Sequence, residues 1–273
     1  MDCKIIFSDV DGTLLDGNRT ISELTIYEVG RIKKQIPFVL VSSRMPRQME
    51  YLREMLQILD TPMIAYNGAL VLDNEKVLHS TEIDVHQIEK IVTLNEQEFQ
   101  GKIHISLYHN DLWYVPQYDF WAQREENNTR TRPQVLAPRE VIFDWKAKNI
   151  GAHKIMLMGD AVLIEQMYAL LQQKMADDLH IYRAKDTYIE LADKKVSKLT
   201  GIKVLLEQKY GFSLAESMAF GDNYNDLEMI QGVKYGIAVG NAREEVKKVA
   251  YGVTFHHKED GLAKYLASFF AEN

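Results

Sequence analysis

Apolar and polar positions follow two different styles along this chain. In the first 82 residues, short and almost uniformly apolar runs (Ile5-Ile6-Phe7, Phe38-Val39-Leu40-Val41, Met63-Ile64-Ala65) alternate with segments of helical spacing. Unbroken apolar runs of this length suit parallel strands buried on both faces. Between the first two, Ile21, Leu24, Ile26, Val29 and Ile32 predict a helix over residues 21–35, with Ser22 or Thr20 as its cap and Pro37 beyond its end. Pro46 opens another helix. The pattern is β-α-β-α-β by residue 68, which calls for a parallel sheet. A hairpin then follows, with Leu70-Val71-Leu72 and residues 76–79 flanking Asp73-Asn74-Glu75.

Near residue 83 the style changes. Residues 84–100 read as a helix. Ile103, Ile105 and Leu107 then alternate with polar neighbours and lead through Asn110-Asp111 into Leu112 to Val115, which predicts an antiparallel hairpin with one wet face. Residues 122–139 are polar and read as loop. His153 to Met158 reads as a strand, 162–177 as a helix and His180 to Arg183 as a further strand. Core style resumes near Ile189. Leu199, Ile202, Leu205 and Leu206 mark an amphipathic helix; Ser217-Met218-Ala219-Phe220 and residues 235–239 read as strands, and a last helix runs from about Leu262 to Ala271. The fold class expected is α/β: a Rossmann-like parallel-sheet core built from residues 1–82 and 190–273, interrupted by an α+β insert at 83–189.

Composition narrows the function. With 273 residues and 46% apolar content, the chain can build two ordinary cores. A net charge of −7 without a basic tract argues against nucleic acid as a partner. No run approaches a membrane span, and the N-terminal residues lack the basic and apolar regions of a signal peptide. The single cysteine, Cys3, cannot form an internal disulfide. A buried inert thiol and a cytoplasmic location fit.

The chemistry gathers where strands end. The first strand runs into Asp9-Val10-Asp11-Gly12-Thr13. Such a run can be a surface turn. Two carboxylates after an apolar strand nevertheless repel each other, and a divalent cation with a taste for hard oxygen ligands would offset that. Ser42-Ser43-Arg44 follows the second strand, Lys198 starts a helix, and Asp222, Asn225 and Asp226 follow the strand at 217–220. In a parallel sheet these strand ends share one edge and can converge. Hydroxyl and backbone N–H groups can hold phosphate oxygens, and a lysine can neutralise a transferring phosphoryl group. Each residue also has a plainer reading. Lys198 could be a solvated helix-face lysine, Ser42 a helix cap, and Asp222, Asn225 and Asp226 an N-terminal capping cluster. Arg44 could serve only as an ion-pair former. Trp113, Tyr118 and Trp121 suit packing within the insert better than a substrate pocket. His104, His109, His153, His256 and His257 show no metal spacing.

These motifs, in this order, resemble those of haloacid dehalogenase-superfamily phosphatases of the Cof-like class, which carry a large cap. The matching pieces are Asp9-Val10-Asp11-Gly12-Thr13, Ser42-Ser43-Arg44 in place of Thr-Gly-Arg, Val196-Ser197-Lys198, and Gly221-Asp222-Asn223-Tyr224-Asn225-Asp226. Asn67-Gly68-Ala69 and Gly240-Asn241-Ala242 match as well. The resemblance implies a Mg²⁺-dependent phosphatase acting on small phosphorylated metabolites, sugar phosphates first, with the insert as a mobile cap. It implies Asp9 as nucleophile and Asp11 as acid/base. Mg²⁺ would be held by Asp9, Asp222 and the backbone carbonyl of Asp11. Phosphate would be held by the backbone of Val10 and Ser43, with Ser42, Lys198 and Asn225. Asp226 would position Lys198 or metal-bound water, and Arg44 and Asn67 would be candidates for substrate specificity. Ser43 stands where relatives have glycine, and would be strained if that position needs φ > 0. The alternatives are a sugar phosphomutase and a non-catalytic phosphometabolite-binding protein.

Overall fold

The computed structural model describes residues 2–271. In chain order the strands are β1 (Ile5–Ser8), β2 (Phe38–Val41), β3 (Met63–Ala65), β4 (Leu70–Asp73), β5 (Lys76–Ser80), β6 (His104–His109), β7 (Leu112–Val115), β8 (Gln134–Val135), β9 (Lys154–Met158), β10 (Leu179–Lys185), β11 (Tyr188–Asp193), β12 (Ser217–Gly221), β13 (Tyr235–Ala238) and β14 (Gly252–Val253). The helices are α1 (Glu23–Ile32), α2 (Arg47–Leu56), α3 (Val85–Phe99), α4 (Phe120–Thr129), α5 (Pro138–Lys148), α6 (Ala161–Met175), α7 (Lys198–Leu205), α8 (Leu227–Gly232), α9 (Glu244–Val249) and α10 (Gly261–Phe269). The chain divides into two compact units, Met1–His79 with Ser197–Asn273, and Ser80–Val196.

The first unit is a sheet in the order β14-β13-β12-β1-β2-β3-β4-β5. Its pairs from β14 to β3 are parallel, and β4 turns back antiparallel to β3. The central strands are buried along their whole length, as their unbroken apolar sequences require. On one face Ile5, Phe7, Val39 and Ala219 pack with Ile202 and Leu205 of α7, Met229 of α8 and Val246 of α9. On the other, Phe220 meets Tyr265 of α10 edge to face, and α10 neighbours α1. Burial of each large aliphatic side chain contributes about 1.5–3 kcal/mol, so the sheet's centre is its most strongly fixed part. Ser22 caps α1 as expected, its hydroxyl accepting the Thr25 N–H.

The second unit is a six-stranded sheet in the order β10-β11-β9-β6-β7-β8, antiparallel except for the β7–β8 pair. Three readings change here. The run at Ile189 is not the return of the core: β11 pairs with β9 and β10, so this unit extends to Val196. The polar stretch at 122–139 is not all loop. It begins as α4, where the Asp119 carboxylate accepts the N–H groups of Trp121 and Ala122, and only Ala122 and Thr129 of the helix are buried. The hairpin strand β6 has no wet face either. Its polar side is covered and satisfied internally: His104 bonds Asp119 and Ser106, and Trp113 donates to Ser106. Trp113 stacks on Tyr108 inside this unit, which makes it packing.

Candidate active site

The site lies at the C-terminal edge of the first unit's sheet. Asp9 directly follows β1, and its N–H is tied to Phe220 O on β12 (3.0 Å). The chain then turns through Val10–Leu14, where Gly12 has φ 90°. A Cβ at Gly12 would lie 2.7 Å from Asp222 Oδ2, so this turn runs close against the β12 edge because residue 12 has no side chain. Thr13 donates to Asp222 Oδ1 (3.3 Å), and Asn241 Nδ2 donates to Gly12 O (2.8 Å).

Lys198 is wholly buried at the first position of α7. Ser197 caps that helix, its hydroxyl accepting the Thr200 N–H. Gly68, at φ 102°, lets the β3–β4 turn press on the same helix start, where a Cβ would stand 2.2 Å from Ser197 O. The ammonium reaches Asp9 Oδ1 (2.5 Å) and Asp226 Oδ1 (2.6 Å). Asp226 Oδ2 accepts the N–H groups of Asp222 (2.9 Å) and Asn223 (3.0 Å), so both of its oxygens are engaged. Asp9 Oδ2, by contrast, is buried without a hydrogen-bond partner.

A buried carboxylate oxygen without a partner is costly and calls for a counter-charge or a donor. Oxygens of Asp9, Asp222 and Asp226 lie within 4.8 Å of one another. Burial raises the Asp9 carboxyl well above its ordinary range; Lys198 opposes this, while Asp226 and Asp222 add to it. Asp222 is pushed up to about 7, by burial first and then by Asp226. Lys198 is driven the other way from a buried amine: burial would lower it, but Asp226 and Asp9 more than offset that and hold it protonated. An all-oxygen donor set carrying this much uncompensated negative charge fits a hard divalent ion.

Asp11 has different company. Arg44 grips it as a fork, Nε to Oδ2 (2.7 Å) and Nη2 to Oδ1 (2.8 Å), and Arg19 Nη2 adds a contact to Oδ1 (3.0 Å). Burial pushes the Asp11 carboxyl up, but the hydrogen bonds and charge of Arg44, with Arg19 and Lys198, outweigh it and hold the group below its ordinary range. Arg44 is thus already engaged with the D-x-D turn. Ser42 does not cap the helix after β2, whose N-cap position is Pro46; its Oγ accepts the Arg44 N–H (3.2 Å) in a local turn, and its hydroxyl hydrogen remains to donate. Ser43 does not have positive φ, so replacing glycine there strains nothing. Asn67 is buried, has φ 56°, and accepts from Asn225 Nδ2 (3.1 Å).

Sequence reasoning assigned no role to Thr13, Arg19, Tyr51 or Asn241. Asn241 stood in a matching triplet, whereas Arg19 and Tyr51 sit in polar stretches that carry no signal. The second unit holds another cluster, Glu82, His109 and His153. Its imidazole nitrogens are occupied by fixed partners: His109 Nδ1 faces Gly151 O (2.9 Å), and His153 Nδ1 accepts the Asn110 N–H (3.1 Å), leaving its proton on Nε2 toward Ser80 Oγ. Those tautomers suit a hydrogen-bond network.

A model of haloacid dehalogenase-like hydrolases matches residues 6–266, and the chain belongs to that family. A Haemophilus influenzae protein carrying the provisional name of phosphatase is 34% identical over 98% of this chain and 99% of its own. A 5-amino-6-(5-phospho-D-ribitylamino)uracil phosphatase of Bacillus subtilis is 26% identical over 98% of this chain and 97% of its own. A pyridoxal phosphate phosphatase of Escherichia coli is 26% identical over 98% and 99%. The crystal structure of a haloacid dehalogenase-like hydrolase from Bacteroides thetaiotaomicron, 25% identical, superposes with a TM-score of 0.86 over 98% of this chain and all of that one. The chain is a Cof-like phosphatase of this superfamily, with a parallel α/β core. Among the described residues, no helix is long and apolar enough to cross a membrane.

Proposed function

We propose that this protein is a Mg²⁺-dependent hydrolase of small phosphorylated metabolites that works through an aspartyl-phosphate on Asp9. The observation that carries the reading is the state of Asp9: one oxygen is held by a buried lysine and the other is buried and unpartnered beside Asp222. Asp9 and Asp222 would hold Mg²⁺, with the backbone carbonyl of Asp11. When bound, the ion supplies positive charge to the phosphoryl oxygens and to the crowded carboxylates.

In the first half of the reaction an Asp9 oxygen attacks phosphorus. The bond from phosphorus to the leaving oxygen breaks, and that oxygen takes a proton from Asp11. In the second half, water attacks the aspartyl-phosphate and gives its proton to Asp11, and the electron pair returns to Asp9 as inorganic phosphate leaves. Lys198, the Ser42 hydroxyl, Asn225 and the backbone N–H groups of Val10 and Ser43 would hold the phosphoryl oxygens, where transition-state charge spreads. Asp226 would hold Lys198, and Asn67 would hold Asn225. The cap would read the organic part of the substrate. Sugar phosphates and the phosphorylated heterocycles named for its relatives are the first classes to test.

A phosphate-release screen over a metabolite panel tests this reading. Release of inorganic phosphate that needs Mg²⁺ is expected. Isomerised sugar phosphate without release would assign a mutase instead, and turnover in excess EDTA would remove the metal from the scheme.

A further inference from the structure

We propose that Asp11 handles its proton at Oδ2, and that Arg44, held in place by Tyr51, is the positioning residue that aims this oxygen. The proposal rests on the hydrolase reading above and adds to it an atom and two residues.

An ionised carboxylate offers about four lone-pair sites, two on each oxygen. Asp11 Oδ1 receives two N–H groups, from Arg44 Nη2 (2.8 Å) and Arg19 Nη2 (3.0 Å). Oδ2 receives one, from Arg44 Nε (2.7 Å). Oδ1 is filled, and Oδ2 keeps one site open. The only atom of this carboxylate able to take a proton without surrendering a cation is therefore Oδ2.

The fork also sets where that open site points. A planar guanidinium bonded through two nitrogens fixes the plane of its carboxylate, which a single ammonium cannot do. Arg44 is itself immobilised. It is 4% exposed, and Nη1, the nitrogen not used on Asp11, donates to the Gln48 carbonyl and to Tyr51 Oη, each at 3.2 Å. Gln48 and Tyr51 lie on α2, so one rigid element aims a carboxylate on the turn after β1. Asp11 is 41% exposed in its side chain; nothing but the two arginines would otherwise fix its rotamer. The proton balance closes on this atom. Oδ2 receives a proton from the attacking water in the second half-reaction and returns one to the leaving oxygen in the first.

Leaving-group dependence tests this, because an alkyl phosphate needs its departing oxygen protonated and a nitrophenyl phosphate does not. kcat/KM, which reports only the first half-reaction, is measured for the best alkyl phosphate of the panel and for p-nitrophenyl phosphate, with the wild type and with Asp11→Asn, Arg44→Lys and Tyr51→Phe. Arg44→Lys keeps the charge and removes the fork, and should lower the alkyl-to-aryl ratio by about 100-fold, the scale of an ångström-sized misplacement. Tyr51→Phe keeps shape and core packing and should lower the ratio roughly 3- to 10-fold. Asp11→Asn should show the largest selective loss. If Asp11→Asn is selective while Arg44→Lys and Tyr51→Phe lower both substrates equally, or neither, the positioning role is wrong. If Asp11→Asn itself lowers both substrates equally, the acid/base reading falls and takes this proposal with it. Tyr51→Phe keeps the test decisive should Arg44→Lys fail to fold.

Discussion

Asp9 and Asp11 are two residues apart on one turn and live in opposite environments. Asp9 is 5% exposed, faces a lysine and two other carboxylates, and is pushed toward its neutral form. Asp11 is partly exposed, faces arginines, and is held ionised. Sequence spacing makes them look like a matched pair. Their surroundings separate them, and each leans against its proposed role: a bound cation would have to bring Asp9 to its ionised, attacking form, and Asp11 would enter the first half-reaction carrying the proton taken from water in the second. The difference arises far from the turn: Lys198 and Asp226 come from the other half of the core, and Arg44 from the loop after β2.

That contrast can be broken experimentally. The largest effect is expected from Asp9→Asn, which should lower turnover by about 10⁴-fold or more through loss of the nucleophile. Because burial and the neighbouring carboxylates already push Asp9 toward its neutral form, a neutral amide there should leave the metal-free variant melting no lower than the wild type. A clear fall in its Tm would contradict the crowding. Lys198→Met should also abolish turnover, and should cost about 3–5 kcal/mol in urea unfolding, since Asp9 and Asp226 lose their shared cation. Asp11→Asn should lower alkyl-phosphate turnover by about 10²- to 10⁴-fold. Unlike Asp9→Asn it should destabilise, by about 1–2 kcal/mol after allowance for exposure, because Arg44 stays buried with a poorer partner. The same sign of stability change in both variants would erase the distinction drawn between them.

The smallest effect sharpens the metal side. Asp222 has a folded-state pKa raised to about 7, above its ordinary 3.8. Between these values the native state holds a proton that the unfolded chain has lost, so stability of the metal-free protein should fall as pH rises through that window. Mg²⁺ binds the ionised form and should oppose the fall. The rise in Tm on adding Mg²⁺ should be at least about 3 °C larger at pH 8 than at pH 5; an equal rise at both would place the ion elsewhere.

The core was legible because its signals are local. Short unbroken runs such as Phe38 to Val41, rich in β-branched residues and bounded by Pro37 and Ser42, suit doubly buried strands, and ligands gather at the ends of such strands. The second unit was harder to read. Residues 123–128 (Gln, Arg, Glu, Glu, Asn, Asn) have no apolar stripe, so the helix there depends on the Asp119 cap and on tertiary contacts. β6 looked half-wet because His104 and Ser106 are polar, yet both are buried and bonded to each other. Arg44 illustrates the remaining gap. Its partner is thirty-three positions away, and no periodicity connects them. The strain expected at Ser43 came from a glycine in other chains, and the backbone here does not need one.

The place of β1 has a consequence for how the protein is made. This strand lies between β2 and β12, with Ile5 opposite Ser217 and Ser8 opposite Phe220. At ribosomal speeds of about 5–20 residues per second, one edge of it waits roughly 10–40 seconds for its partner to be synthesised. Throughout that interval a mostly apolar strand has an open row of backbone donors and acceptors, and the carboxylate of Asp9 has no lysine. The nascent chain is most prone to mispairing while its first strand waits. Arrival of residues 198–226 closes the sheet and assembles the charged cluster in the same event.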